Sequence, residues 1–228
     1  MRARSVHGTS PWRALVLVAI ALTVLAGCVS QEAVKKRQRE SEGHYKDGIS
    51  YIDTDQQRAF VSFQKSVQAN PDNFDAHYAL GNIYFQRKEY GAAEREFRIC
   101  LDLDPRSGEA LNYLGRTLIF SSRLPEAIEV LKKATGLVLY ATPDKPYLNL
   151  AYAYTLQGDV PAAIRAYQES LKIEPPSIPR PLVYLELGRL YMKQGDDGRA
   201  REAFAQAKAL DPGGPVAAEA AKLTERLR

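Results

Sequence analysis

The 228-residue sequence has few of the residues that most often carry chemistry, with two cysteines, three histidines, two methionines and one tryptophan. It has no glycine-rich phosphate loop, no dinucleotide-binding fingerprint and no Gly-x-Ser-x-Gly nucleophile elbow. Its aspartates and glutamates are scattered and do not group at metal-ligand spacing. We therefore predict that the protein is not an enzyme, and that it has no catalytic residue, metal ion, cofactor or small-molecule substrate.

A strong excess of one charge is also missing, although the sequence has 31 lysines and arginines against 27 acidic residues. Three of these arginines, Arg2, Arg4 and Arg13, lie in residues 1–27, which contain no acidic residue. Without them, 28 basic residues face 27 acidic ones over the rest of the chain. A nearly neutral segment lacks the positive field that attracts nucleic acid, so we exclude nucleic acid as a partner.

A long apolar run is absent as well. The apolar run from Ala14 to Ala26 has 13 residues and would be roughly 20 Å long as a helix, against the ~30 Å core of a bilayer. Basic residues precede the run and small residues end it, which is typical of an export signal. Its end, Leu25-Ala26-Gly27-Cys28, resembles the lipobox of bacterial lipoproteins. The alternative is an ordinary secretory signal that happens to contain a cysteine.

The lipobox resemblance implies that residues 1–27 are a signal peptide and that the sulfur of Cys28 carries diacylglycerol, with residues 28–40 as a charged tether. Several acyl chains together hold a protein firmly to a membrane. Because no aspartate follows Cys28, the sorting pattern of enterobacteria-like species implies an outer-membrane lipoprotein of the bacterial cell envelope that faces the periplasm. Cys100 is then left without a disulfide partner, and its apolar neighbours predict a core residue.

The sequence repeats itself from residue 43 onward with a period near 34 residues. A small residue recurs once in each repeat, at Gly48, Gly81, Gly115, Ala151 and Gly188. An alanine follows in the second half of each repeat, at Ala59, Ala93, Ala127, Ala163 and Ala200. A large apolar residue comes four positions later, at Phe63, Phe97, Leu131, Tyr167 and Phe204. This pattern predicts pairs of helices that approach closely at the small residues, with the large residue filling the gap to the next repeat.

In spacing and residue type these repeats resemble the tetratricopeptide repeat family. The resemblance implies an all-α fold, a tetratricopeptide repeat α-solenoid of five helix-turn-helix units over residues 41–214. The helix predicted after Pro215, within residues 215–228, would cap the apolar face of the fifth unit. His44 and His77 occupy equivalent bulky positions in two repeats, which favours a role in packing or in the groove over metal binding.

In the tetratricopeptide family, the first helix of each repeat lines a groove that binds peptides. The resemblance therefore implies a set of groove residues here, namely Tyr78, Asn82, Phe85, Asn112, Arg116, Phe120, Tyr152 and Arg189. We expect Asn82 and Asn112 to bond a peptide backbone and the aromatics to receive its side chains. For any single apolar residue, packing on the neighbouring repeat explains the pattern equally well. The lysine set that binds chaperone C-terminal carboxylates in some family members is missing.

A narrower resemblance lies between the third and fourth repeats. Residues 139–151 and the sequence Asn112-Tyr113-Leu114-Gly115 are similar to segments of the pilotin family of type IV pilus biogenesis lipoproteins. That resemblance implies binding of secretin subunits and promotion of their outer-membrane localisation and multimerisation. The alternative hypothesis is a general periplasmic adaptor lipoprotein for envelope, peptidoglycan or exopolysaccharide machinery, with another envelope protein as the partner.

Overall fold

The computed structural model describes the backbone of residues 11–137 and 140–227, and within these ranges the side chains from residue 31 onward. Over this part of the chain the fold is all-α, as the sequence predicts, with eleven helices and no strand. The helices are α1 (Pro11–Tyr51), α2 (Gln56–Ala69), α3 (Phe74–Gln86), α4 (Tyr90–Leu103), α5 (Gly108–Phe120), α6 (Leu124–Thr135), α7 (Asp144–Gln157), α8 (Val160–Leu171), α9 (Arg180–Lys193), α10 (Asp197–Leu210) and α11 (Pro215–Thr224).

Residues 31–40 of the predicted tether are helical and belong to α1. All ten of these residues are exposed. The side chain of Cys28 lies outside the described residues, so its lipidation stays a prediction. None of the helices in the described ranges has both the length and the apolar character required to cross a bilayer.

The chain divides into two compact units, Met1–Ala76 and His77–Arg228. In the first unit, the end of α1 packs against α2, and the ring of Phe63 is fully buried. Phe63 lies so close to Gly48 that a Cβ added to this glycine would be 2.5 Å from the ring. The small residue and the large residue of the first repeat therefore pack against each other.

Polar side chains also join the two helices of the first unit. The Ser66 hydroxyl donates to the backbone carbonyl of Ser41 at 2.8 Å, and the Asn73 amide donates to the Ser41 hydroxyl at 2.8 Å. Both serines are fully buried. The buried hydroxyls are thus satisfied within the unit, as burial of polar groups requires.

The second unit contains the other repeats as the successive helix pairs α3/α4, α5/α6, α7/α8 and α9/α10. The five repeat alanines of the chain are all fully buried. A Cβ on Gly81 would lie 2.7 Å from the Phe97 ring, and one on Gly115 would lie 2.5 Å from Leu131 Cγ. The large residue therefore fills the space beside the glycine of its own repeat, and Gly188 and Phe204 pack in the same way. The Phe97 ring also lies 5.5 Å from that of Tyr113 on α5, so it contacts the next repeat as predicted.

The last helix, α11, packs against α10 and α9. Its Ala220 and Leu223 side chains are buried, and the Asp211 carboxylate accepts the backbone N–H groups of Val216 and Ala217 at its start. The helix covers apolar surface of the fifth repeat, as a capping helix does.

The proline-rich segment between α8 and α9 is attached to the start of α7 by one carboxylate. Asp144 is fully buried, and its side chain accepts hydrogen bonds from the Ser177 hydroxyl, from the Ser177 backbone N–H at 2.5 Å and from the Ile178 backbone N–H at 3.0 Å. Three donors compensate for the loss of water around a buried carboxylate. The loop thereby has a defined position within the second unit.

Candidate functional site

Six aromatic side chains of the second unit form a continuous set of ring contacts, which we name the aromatic cluster. Its members come from α3, α4 and α5, and they are Tyr78, Phe85, Tyr90, Phe97, Tyr113 and Phe120. Helices α4 and α5 belong to successive repeats and pack together, so rings that are far apart in sequence meet. The cluster extends from the core of the second repeat to the protein surface.

The inner end of the aromatic cluster is structural. Phe97 is fully buried, and its ring centroid lies 5.5 Å from that of Tyr113 and 6.0 Å from that of Tyr78. Tyr78 and Tyr113 meet edge to face at 5.5 Å, a favoured aromatic geometry. Burial raises the pKa of the Tyr78 phenol above its usual value, and the neighbouring Tyr113 adds to this effect. Tyr78 is therefore neutral at physiological pH.

The outer end of the aromatic cluster is open to solvent. Phe120 ends α5 and is 50% exposed. Its ring stacks on Tyr90 at 5.6 Å, and it meets Phe85 edge to face at 5.5 Å. An exposed phenylalanine fixed in place by two other rings offers a preformed apolar contact for a partner side chain.

Arg116 lies beside this open end. Its guanidinium carbon is 4.8 Å from the ring centroid of Phe85 and 5.2 Å from that of Tyr113. Both distances are within the range of cation–π attraction. The structure therefore brings together three of the predicted groove residues, Phe85, Arg116 and Phe120, on one surface.

The two predicted backbone-binding asparagines each make a hydrogen bond within the protein. The Asn82 amide donates to the Tyr78 carbonyl one turn earlier in α3, at 2.9 Å, and its side chain is half-buried. Asn112 is only 2% exposed, and its Oδ1 accepts a hydrogen bond of 2.6 Å from the Asn149 amide. The prediction that Asn112 lies on the groove surface is therefore wrong. Its amide instead joins α5 to α7.

The remaining predicted groove residues lie on later repeats. Tyr152 of α7 is exposed, as is Leu156 one turn further along the same helix. Arg189 of α9 forms ion pairs with Glu186 of its own helix and with Glu219 of α11, the latter at 3.5 Å. The charge of Arg189 is thus largely neutralised by its neighbours.

One polar pair was not predicted from the sequence. His77 is buried, and its Nδ1 lies 2.6 Å from a carboxylate oxygen of Glu96 on α4. The bulky position of His77 in its repeat favoured a role in packing or in the groove, and its burial agrees with packing. That position gave no indication of the Glu96 partner. Cys100 is fully buried, as predicted. Among the residues that the structure describes, no group of three or more potential metal ligands converges.

Comparison with known proteins agrees with the helix pairs described above. Residues 74–107 and residues 148–215 each match a family model described as tetratricopeptide repeat. The chain contains tetratricopeptide repeats and has the fold of a tetratricopeptide repeat α-solenoid, and repeats of this kind typically bind other proteins.

Its relatives include a protein of a pilus system. The type IV pilus assembly protein PilF of Pseudomonas aeruginosa is 28% identical over 196 residues, which are 82% of this chain and 75% of PilF. The solved PilF structure superposes with a TM-score of 0.70 at 24% identity, over 83% of this chain and 86% of that chain. PilW, a widely conserved type IV pilus biogenesis factor, has a TM-score of 0.66 at 26% identity, over 75% of this chain and 77% of PilW. The resemblance to type IV pilus biogenesis proteins is therefore confirmed.

Proposed function

We propose that this protein is a membrane-anchored scaffold that assists type IV pilus biogenesis by binding secretin subunits and promoting their outer-membrane localisation and multimerisation. The observation that carries the proposal is the relationship to PilF, which extends over most of both chains. A relationship of this extent includes at least four of the five repeats. It therefore goes beyond a match to one repeat, which any member of the tetratricopeptide family could show. The structural similarity to PilW supports the same role.

The aromatic cluster supplies a surface for this role. The exposed ring of Phe120 is held between Phe85 and Tyr90, so little side-chain entropy is lost when a partner packs on it. A partner segment would place an apolar side chain against these rings. One well-packed aromatic anchor contributes ~2 kcal/mol, or roughly thirtyfold in affinity.

Membrane attachment would come from lipid on Cys28, as the resemblance of residues 25–28 to a lipobox implies. Residues 31–40 form an exposed helical segment between this cysteine and the first repeat. Such an anchor would hold the repeats close to the periplasmic face of the outer membrane, where a secretin ring assembles. Replacing Cys28 with serine should abolish incorporation of radiolabelled palmitate and release the protein from membranes.

The decisive experiment is capture of the secretin from detergent-solubilised membranes by the full mature chain. We expect wild-type protein to enrich the secretin and the Phe120→Ser variant to lose most of this enrichment. Leu210→Ser is the matched control, because Leu210 is 48% exposed and ends α10, away from the aromatic cluster. In cells, Phe120→Ser should reduce heat-resistant secretin multimers and surface pili without lowering the level of the lipoprotein.

The experiment also tests the alternative function. Enrichment of peptidoglycan or exopolysaccharide enzymes by the wild-type chain, with no secretin among the captured proteins, would favour a general periplasmic adaptor. Normal secretin assembly in a strain with stable Phe120→Ser protein would show that the aromatic cluster is not the contact surface.

A further inference from the structure

The two arginines predicted for the groove differ in their surroundings. Arg116 and Arg189 each directly follow the glycine of the first helix in their repeats. Arg189 is ion-paired with Glu186 and Glu219. Arg116 forms no ion pair and no hydrogen bond through its side chain within the part of the chain that the structure describes, and lies instead over the rings of Phe85 and Tyr113.

This arrangement leaves the hydrogen-bonding capacity of Arg116 unused. A guanidinium carries five N–H donors, and those of Arg116 lie near ring faces without an oxygen or nitrogen acceptor among the described residues. The rings also restrict the side chain, so it loses less freedom when a ligand binds. A planar carboxylate that accepts two parallel hydrogen bonds is the complement of such a donor set.

The surroundings of Arg116 add a second requirement for the ligand. Phe120, one helical turn further along α5, presents its half-exposed ring beside Tyr90 and Phe85. A side chain that occupies this apolar surface would remove water from around Arg116. Removing water strengthens the attraction between the guanidinium and a carboxylate.

We infer that the partner segment carries an aspartate or glutamate next to an aromatic or large aliphatic residue, with the carboxylate on Arg116 and the apolar side chain on Phe120. The inference rests on the proposed function, because it specifies the chemistry of the segment that the same surface binds. A single carboxylate contact makes binding weaker as salt is added, with a modest slope.

The inference can be tested with random 12-residue peptides displayed on phage and selected on the full mature chain. We expect the retained peptides to be enriched in Asp or Glu adjacent to Phe, Tyr, Trp or Leu. A synthetic peptide of the enriched sequence should bind Arg116→Gln about tenfold more weakly than wild type. Changing the acidic residue of that peptide to its amide should weaken its binding to wild type by a similar factor. The same change should hardly weaken its binding to Arg116→Gln, because the effects of two groups that contact each other are not additive.

Arg189→Gln is the matched control, since Arg189 has the equivalent repeat position and an already neutralised charge. It should bind the peptide within about twofold of wild type. Far-UV circular dichroism verifies that each variant is folded. Retained peptides without an acidic residue, equal binding to Arg116→Gln and wild type, or no retained peptide at all would overturn the inference. Secretin capture by the wild-type chain is a separate readout, so a failure here is distinguishable from a failure of the proposed function.

Discussion

The inward and outward faces of the first helix in each repeat differ in how much their residue types vary. The inward position of each repeat is glycine or alanine, because only a small residue leaves room for the large side chain of the same repeat, as Gly81 does for Phe97. The next residue in the chain faces away from this contact and varies in type among the repeats of the second unit. At that position stand Asn82, Arg116, Tyr152 and Arg189. The inward face thus maintains the fold, whereas the outward face is not constrained by this contact.

The largest contrast should appear between the two ends of the aromatic cluster. Phe97→Ala removes a fully buried ring and leaves a cavity between α3 and α4, so we expect it to lower the free energy of unfolding by ~3 to 5 kcal/mol. Phe120→Ala removes a half-exposed ring and should cost less than ~1.5 kcal/mol, while weakening partner binding. Urea unfolding followed by circular dichroism measures both. Equal destabilisation by the two substitutions would show that Phe120 belongs to the core.

The second contrast compares two residues of α8. Ala163 is fully buried where helices meet, and Ala163→Leu should cost ~1 to 3 kcal/mol by overpacking. Arg165→Leu lies on the exposed face and should change stability by less than ~0.5 kcal/mol. Thermal melts of the two variants give the comparison. Glu94 of α4 is unsuitable as a control, because its side chain is only 16% exposed and pairs with Arg98 and Arg123.

The third prediction concerns the buried carboxylate that holds the loop between α8 and α9. Asp144→Ala leaves the Ser177 and Ile178 donors without their acceptor, so we expect a loss of ~1 to 3 kcal/mol. Hydrogen exchange should become faster at the amides of Ser177 and Ile178. Ser177→Ala removes only one of the donors and should have a smaller effect. Unchanged exchange in Asp144→Ala would mean that the carboxylate does not position the loop.

The smallest effect is expected at an exposed ion pair. The hydrogen bond from Arg123 lowers the pKa of the Glu126 carboxyl below its usual value, with the positive charges of Arg123 and Arg98 acting in the same direction. The pair therefore stabilises the fold fully above the ordinary glutamate pKa, and this contribution is lost as the pH falls through the lowered value. NMR titration should show the Glu126 pKa rising in Arg123→Gln. An unchanged Glu126 pKa in this variant would show that the pair with Arg123 does not lower it.

Much of the fold follows from periodic residue types. The spacing of Gly81, Ala93 and Phe97, repeated along the chain, predicts the helix pairs and the buried alanines that the structure shows. The segment after Pro215 predicts the capping helix. Three of the groove candidates, Phe85, Arg116 and Phe120, also lie together on one surface as the repeat register implies. Asn112 could not be placed this way, because its hydrogen-bond partner is Asn149, 37 residues further along the chain.

The repeat architecture and the relationship to pilus biogenesis proteins can be recognised from residue types along the chain, since both depend on local pattern. Which outward side chains remain available for a partner depends instead on how the helices pack. Arg116 and Arg189 are equivalent in the repeat pattern, but only the packing of α11 brings Glu219 to Arg189, and only the contacts among α3, α4 and α5 place rings beneath Arg116. Charge pairing and ring stacking depend on neighbours that are distant in sequence, and a local repeat pattern does not specify them.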